Sequence, residues 1–146
     1  MSAPSPRRVL VTGGTSGIGQ GVARAFAATG AEVQATGATI REVVAALEAG
    51  DGVRYAVMDV RDGEAVASYI AGLGELDVVV NCAGIIRRGA EHDPAAFAET
   101  VDINLNGTMR VCAAAREGLK ARGGCIVNTA SMLSFFGGGL VPGYSA

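Results

Sequence analysis

Apolar residues along this chain come in short blocks whose spacing alternates between two kinds. In "RRVLVTGG", Val9 to Val11 form a compact apolar run that stops at glycines, the pattern of a buried strand ending in a turn. Ile18, Val22, Ala25 and Phe26 then recur at i, i+4, i+7 and i+8, which lays them on one face of a helix that Gly30 ends. "AEVQAT" is a weaker strand, and Ile40, Val43, Val44 and Leu47 mark a second helix closed by Gly50 and an Asp51-Gly52 turn. "VRYAVMD" reads as a third strand, followed by a helix carrying Val66, Ile70 and Leu73. "LDVVVN" is apolar at consecutive positions, as expected of a strand covered on both faces. Asp93-Pro94 starts a further helix, with the Asp as N-cap and the proline at the first helical position. That helix runs to about Arg122, with a break expected near Asn104 to Gly107, and "GGCIVNTA" is the fifth strand.

Five strands alternating with four helical segments predict an α/β fold. Right-handed crossovers make it a doubly wound parallel sheet in the strand order 3-2-1-4-5, one domain over residues 1–146. Ligands of such sheets bind beyond the carboxyl ends of the strands, where the order reverses. Here those ends are "TGGTSGIG" (12–19) and "NCAG" (81–84), and strand five, ending in "TAS", puts Ser131 on the same rim. A helix beginning near Gly17 offers free N–H groups and the positive end of its dipole, and Gly13, Gly17 and Gly19 let a pyrophosphate approach the backbone. The glycines therefore point to a phosphate site.

Composition narrows the partners. Glycine accounts for 22 of 146 residues, about twice the usual share of ~7%, clustered rather than periodic, so collagen-like and linker readings fail. The net charge is −2 and no basic run exceeds Arg7-Arg8 or Arg87-Arg88, which excludes a nucleic-acid footprint. "MSAPSPRR" lacks the apolar core of a signal peptide, and no stretch approaches the ~18 apolar residues of a membrane span. Cys82, Cys112 and Cys125 are odd in number and far apart, so neither a disulfide framework nor a metal site emerges, and a cytoplasmic location with reduced thiols is expected. The single His92 has no partner at metal-ligand spacing, and no metal is expected.

"TGGTSGIG" resembles the T-G-x-x-x-G-x-G loop of the short-chain dehydrogenases/reductases. Asp59-Val60, "NCAG", "INLNG" (103–107), "IVNTAS" and a tyrosine thirteen residues after Ser131 follow in that family's order. The resemblance spans the whole chain and implies a Rossmann-like fold with NAD or NADP as cofactor. By position, Gly13, Ser16, Gly17, Ile18 and Gly19 would hold the cofactor's adenosine and pyrophosphate end. Asp59 would meet the adenine with Val60 beside it, and Asn81, Ala83 and Gly84 would line the crevice. The family usually has Asn at position 82, and Cys82 is expected to alter loop hydrogen bonding more than chemistry. The resemblance assigns proton transfer to Tyr144, carbonyl polarisation to Ser131 and a water relay to Asn104. A free phenol titrates near ~10, so such a tyrosine needs nearby positive charge to act near neutrality.

In the family that charge comes from a lysine four residues after the tyrosine, a position past Ala146, and "PGYSA" resembles the start of Y-S-A-x-K. The chain is therefore expected to be C-terminally truncated, the N-terminal part of a longer and homo-oligomeric enzyme, inactive by itself. The other reading is a non-catalytic nucleotide-binding module. Cofactor preference stays open between NAD and NADP: "ATGAT" carries no acid at the end of strand two, and Thr39 with Arg41 could meet a 2′-phosphate. "AGIIRRG" and "ASMLSFFGGGLVPGYSA" resemble the gluconate-type branch, notably 2-deoxy-gluconate 3-dehydrogenases, which use mainly NAD. For a small-molecule sugar-acid substrate, Arg87 or Arg88 could pair with the carboxylate.

Overall fold

The computed structural model describes residues 5–146; Met1–Pro4, part of the opening stretch read for a signal peptide, lie outside the described residues. Strands β1 (Arg8–Thr12), β2 (Glu32–Gly37), β3 (Arg54–Val57), β4 (Val78–Asn81) and β5 (Cys125–Asn128) form one parallel sheet in the order β3-β2-β1-β4-β5. Helices α1 (Gly17–Ala28), α2 (Ile40–Leu47), α3 (Gly63–Leu73), α4 (Pro94–Val101) and α5 (Thr108–Arg122) connect them, and two short helical turns, α6 (Leu133–Phe136) and α7 (Pro142–Ser145), follow β5. This is the doubly wound sheet, in the strand order, that the alternation of patterns predicts.

Side chains of a strand alternate between faces, so the sheet divides the core in two. Leu10 and Val79 point to the side of α3 and α5, where they pack with Val66, Ile70, Val111 and Ala115. Val9, Val11, Val78 and Val80 point the other way, against Ala23 of α1 and its neighbours Val22 and Phe26. All four residues of β4 are buried, as its unbroken apolar run requires. At the carboxyl edge the register brings Thr36, Thr12, Asn81 and Asn128 side by side on four strands. Thr12 Oγ1 donates to Asn81 Oδ1 (3.3 Å), and Asn81 Nδ2 donates to Asn128 Oδ1 (2.9 Å). A polar row thus closes the sheet where the ligand-binding loops begin.

Three expectations need correction. The buried face of α1 is rotated from the predicted one: Ala23 is buried, Ala25 is exposed, and Ile18 is 73% exposed. Gly19 packs inward instead, which leaves Ile18 outside the core. On α2 only Val43 of the four marked positions is buried, together with Ala46. A capping box holds its start, Thr39 Oγ1 accepting from the Glu42 N–H and Glu42 reaching back to the Thr39 N–H. Finally, the helix does not break near Asn104. It continues from α4 through a π-helical segment, Asp102–Gly107, into α5. The wider turn brings Gly107 against β3's outgoing loop, where a Cβ on it would lie 2.6 Å from Val60 Cγ2. No helix among the described residues is long and apolar enough to cross a membrane.

Candidate functional site

The loops leaving β1 and β4 meet at the carboxyl edge, and glycine allows them to touch. Gly13 has φ +62°, and a Cβ there would lie 2.6 Å from Ala83 Cα; a Cβ on Gly19 would run into the Gly13 carbonyl. Gly17 differs: its φ is +52°, but nothing stands within 4 Å of the place a Cβ would take. The N-cap Ser16 makes no side-chain cap hydrogen bond, and the first turn of α1 holds no acidic residue. The protein therefore leaves the amides and the positive end of α1 unanswered beside open space, an arrangement that fits a pyrophosphate.

These residues line a crevice of about 510 Å³ that runs over the ends of β1, β2 and β3. Gly13, Ser16, Gly17, Ile18, Gly19, Asp59, Val60, Ala83 and Gly84 all border it, so nine of the ten expected cofactor contacts converge there. The tenth, Asn81, is buried below and faces the adjoining cleft, with its amide engaged in the polar row. One wall of the crevice is a chain of alternating charges. Asp59 pairs with Arg61 (2.6 Å), Arg61 with Glu99 (3.3 Å), and Glu99 with Arg87 (2.8 Å). The Arg61 guanidinium holds the Asp59 carboxyl below its ordinary range. Arg87 thus stands on the crevice wall, and Arg88 borders neither cleft.

A second cleft of about 390 Å³ shares Ile18 and the segment Cys82 to Ile85 with the first, and brings in Asn104, Ser131 and Tyr144. All three expected catalytic residues therefore border one space next to the crevice. Ser131 Oγ accepts from the Leu133 N–H (3.2 Å), which fixes the side chain and leaves its own O–H free to donate. Asn104 sits in the π-helical turn and clamps the loop after β4: its Oδ1 accepts from the Ile85 N–H and its Nδ2 donates to the Ile85 carbonyl, both at 2.8 Å. Its side-chain amide is thereby committed to the loop, and its carbonyl accepts from Thr108 Oγ1 (2.8 Å). Cys82 Sγ lies 3.3 Å from Thr129 Oγ1, tying the loops after β4 and β5 together.

Two carboxylates at the site escape sequence reasoning. Glu91, 1% exposed, accepts from the backbone N–H groups of Arg87 (2.7 Å) and Tyr144 (2.8 Å). Burial pushes its carboxyl up, but the N–H groups of Arg87, Tyr144 and Gly143 outweigh that and hold it below its ordinary value. Glu42 reaches from α2 to the end of β2, its Oε2 accepting from the N–H groups of Ala38 (2.7 Å) and Thr39 (3.2 Å). Only the T-x-x-E spacing from Thr39 to Glu42 signals either one in sequence, and it signals a cap rather than a site.

Known proteins resemble this chain over nearly its full length. The chain is 35% identical to a 3-oxoacyl-[acyl-carrier-protein] reductase of Chlamydia muridarum, covering 96% of this chain and 61% of the relative. It is 37% identical to a 2-dehydro-3-deoxy-D-gluconate 5-dehydrogenase of Bacillus subtilis, covering 96% and 59%. A solved structure of an actinorhodin polyketide ketoreductase variant with NADPH superposes with a TM-score of 0.88 at 31% identity, over 99% of this chain and 60% of that one. The chain thus spans roughly three fifths of each. Residues 7–146 match the family model described as short chain dehydrogenase, and the chain belongs to that family.

Proposed function

We propose that this chain forms the dinucleotide-binding crevice and the catalytic rim of an NAD(P)-dependent oxidoreductase that interconverts a hydroxyl and a ketone on a small molecule. The observation that carries the reading is the shared wall of the two clefts: Ile18 and the segment Cys82 to Ile85 border both, so a ligand in the crevice reaches the space holding Ser131 and Tyr144. The open amides of α1 and the cradle of Gly13, Gly17 and Gly19 would hold the pyrophosphate, and Asp59 and Val60 the adenine end. A nicotinamide dinucleotide bound there supplies or accepts a hydride at the substrate carbon.

The chain's own groups do the rest. Ser131, held through its acceptor side, donates its O–H to the carbonyl oxygen and fixes its direction. Tyr144 gives a proton to that oxygen during reduction and takes it back during oxidation. Asn104 holds the Ile85 backbone and so fixes the wall between cofactor and substrate. For the substrate we propose a sugar acid: the stretches "AGIIRRG" and "ASMLSFFGGGLVPGYSA" and the dehydrogenase relative from Bacillus subtilis support it. The test is steady-state kinetics of the protein as its gene encodes it, with gluconate-like hydroxy and keto acids. Tyr144→Phe is expected to lower kcat by about 10²–10⁴-fold while dinucleotide affinity stays unchanged. Turnover indifferent to Tyr144→Phe overturns the assignment of the proton.

A further inference from the structure

We propose that Glu42 makes this crevice select NAD over NADP. The inference rests on the dinucleotide reading above and assigns the cofactor preference that sequence leaves open. Strand β2 ends without an acid, and "ATGAT" with Arg41 nearby reads as room for a 2′-phosphate. The structure arranges those residues differently. Arg41 is exposed and does not border the crevice. Thr39 Oγ1 is engaged as the acceptor of the Glu42 N–H at 3.3 Å. The carboxylate of Glu42 borders the crevice and lies across the N–H groups of Ala38 and Thr39, at 2.7 and 3.2 Å.

Those two amides are the donors at the end of β2 that an anionic group on the ribose would need. They already hold an anion, and a second one is repelled by it. The cations bordering the crevice are Arg61 and Arg87, and both are paired, with Asp59 and Glu99. The contrast with α1 makes the division of labour explicit: its N-terminus lacks both a side-chain cap and an acid, whereas that of α2 has both. One helix end is open for a phosphate and the other is closed by a carboxylate. A ribose 2′-hydroxyl, by contrast, is a donor, and Glu42 Oε1 has no partner among the described residues. The acid that a NAD-binding sheet usually carries on the strand end is here supplied from the first turn of the next helix.

The test is equilibrium binding, with no turnover needed: NADH against NADPH, and 5′-AMP against 2′,5′-ADP, each titrated into the chain. The unsubstituted protein is expected to bind the 2′-hydroxyl member of each pair at least about tenfold more tightly. Glu42→Gln keeps the length and a capping side chain but removes the charge, and is expected to narrow both ratios at least about fivefold, through tighter binding of the 2′-phosphate member. Glu48→Gln, at the C-cap of the same helix and outside the crevice lining, removes a charge of the same sign and is expected to preserve the ratios. Thermal melts confirm that both variants fold. Equal binding of NADH and NADPH, or ratios unmoved by Glu42→Gln, overturns the inference and leaves the dinucleotide reading standing. Failure of all four nucleotides to bind removes that reading, and this one with it.

Discussion

At the scale of single residues, two glycines of one loop do different jobs, and substitution separates them. Gly19 is needed because the protein itself fills its Cβ position with the Gly13 carbonyl. Gly17 is needed only for its backbone angle and for the space beside it, since nothing beyond its own chain neighbours and its own helix backbone stands within 4 Å of the place a Cβ would take. Gly17→Ala is therefore expected to cost about 1 kcal/mol of stability, the strain of an alanine at positive φ, and to weaken dinucleotide binding by a larger factor. Gly19→Ala is expected to cost more, about 2–4 kcal/mol, because backbone must move. Denaturant titration and NADH titration of the two variants check this; a Gly17→Ala protein that binds NADH normally removes the open-cradle argument. The sequence shows the cradle clearly, since a strand, three spaced glycines and a helix are local features. It does not separate Gly17 from Gly19, because the difference lies in how the loop after β1 folds back, setting the Gly13 carbonyl behind Gly19 and leaving Gly17 open. Ile18 shows the same limit: its spacing matches the face predicted to be buried, whereas Gly19 packs inward and leaves it 73% exposed.

At the scale of elements, α7 is a single helical turn that cannot be stable alone, yet it carries Tyr144. It is held from outside. Glu91 accepts from the Tyr144 N–H, Ser145 Oγ donates to the Val141 carbonyl (2.9 Å) and accepts from the Gly138 N–H (3.0 Å), and the Gly89 N–H donates to the Leu140 carbonyl (2.7 Å). Because the Glu91 carboxyl titrates below its ordinary value in the fold, its ionised form stabilises the protein above the unfolded value near ~4.3. That contribution fades as the pH falls from there through the lower folded value. Glu91→Gln is expected to flatten this acid limb of the stability–pH curve. Glu91→Ala, which leaves buried N–H groups without an acceptor, is expected to cost about 2–4 kcal/mol at neutral pH. The faster amide exchange expected at Tyr144 in Glu91→Ala locates the loss; exchange unchanged at Tyr144 would place the glutamate's effect elsewhere. None of this is legible in "AEHDP", where the strong signal is the Asp93-Pro94 helix start that the structure bears out. A charged residue beside a helix cap reads as solvated, and only the fold of residues 137–146 over it makes Glu91 a buried anchor.

At the scale of the whole molecule, the two edges of the sheet are unlike. β3 carries Arg54 on its edge, paired with Glu32 (3.7 Å), a charge of the kind that discourages edge-to-edge pairing. β5 has no charged residue from Cys125 to Asn128, all four are exposed, and Val127 is 51% exposed. Phe135 and Phe136, in the helical turn that follows β5 in sequence, are 88% and 79% exposed. Strand order is readable because alternating periods and crossover handedness leave few topologies, and that order puts "GGCIVNTA" at an edge of the sheet. Which helices would leave that edge open was not readable, since it depends on where α5 lands on the sheet. An unprotected edge with exposed apolar side chains recruits another chain. The 146-residue chain is accordingly expected to self-associate, its weight-average mass rising with concentration in sedimentation velocity under reducing conditions. Val127→Lys, placing a charge on β5, is expected to shift the distribution toward monomer, whereas Val57→Lys on β3 leaves it unchanged. Association that persists through Val127→Lys, or that yields to Val57→Lys instead, would mean that the contact forms elsewhere than at β5.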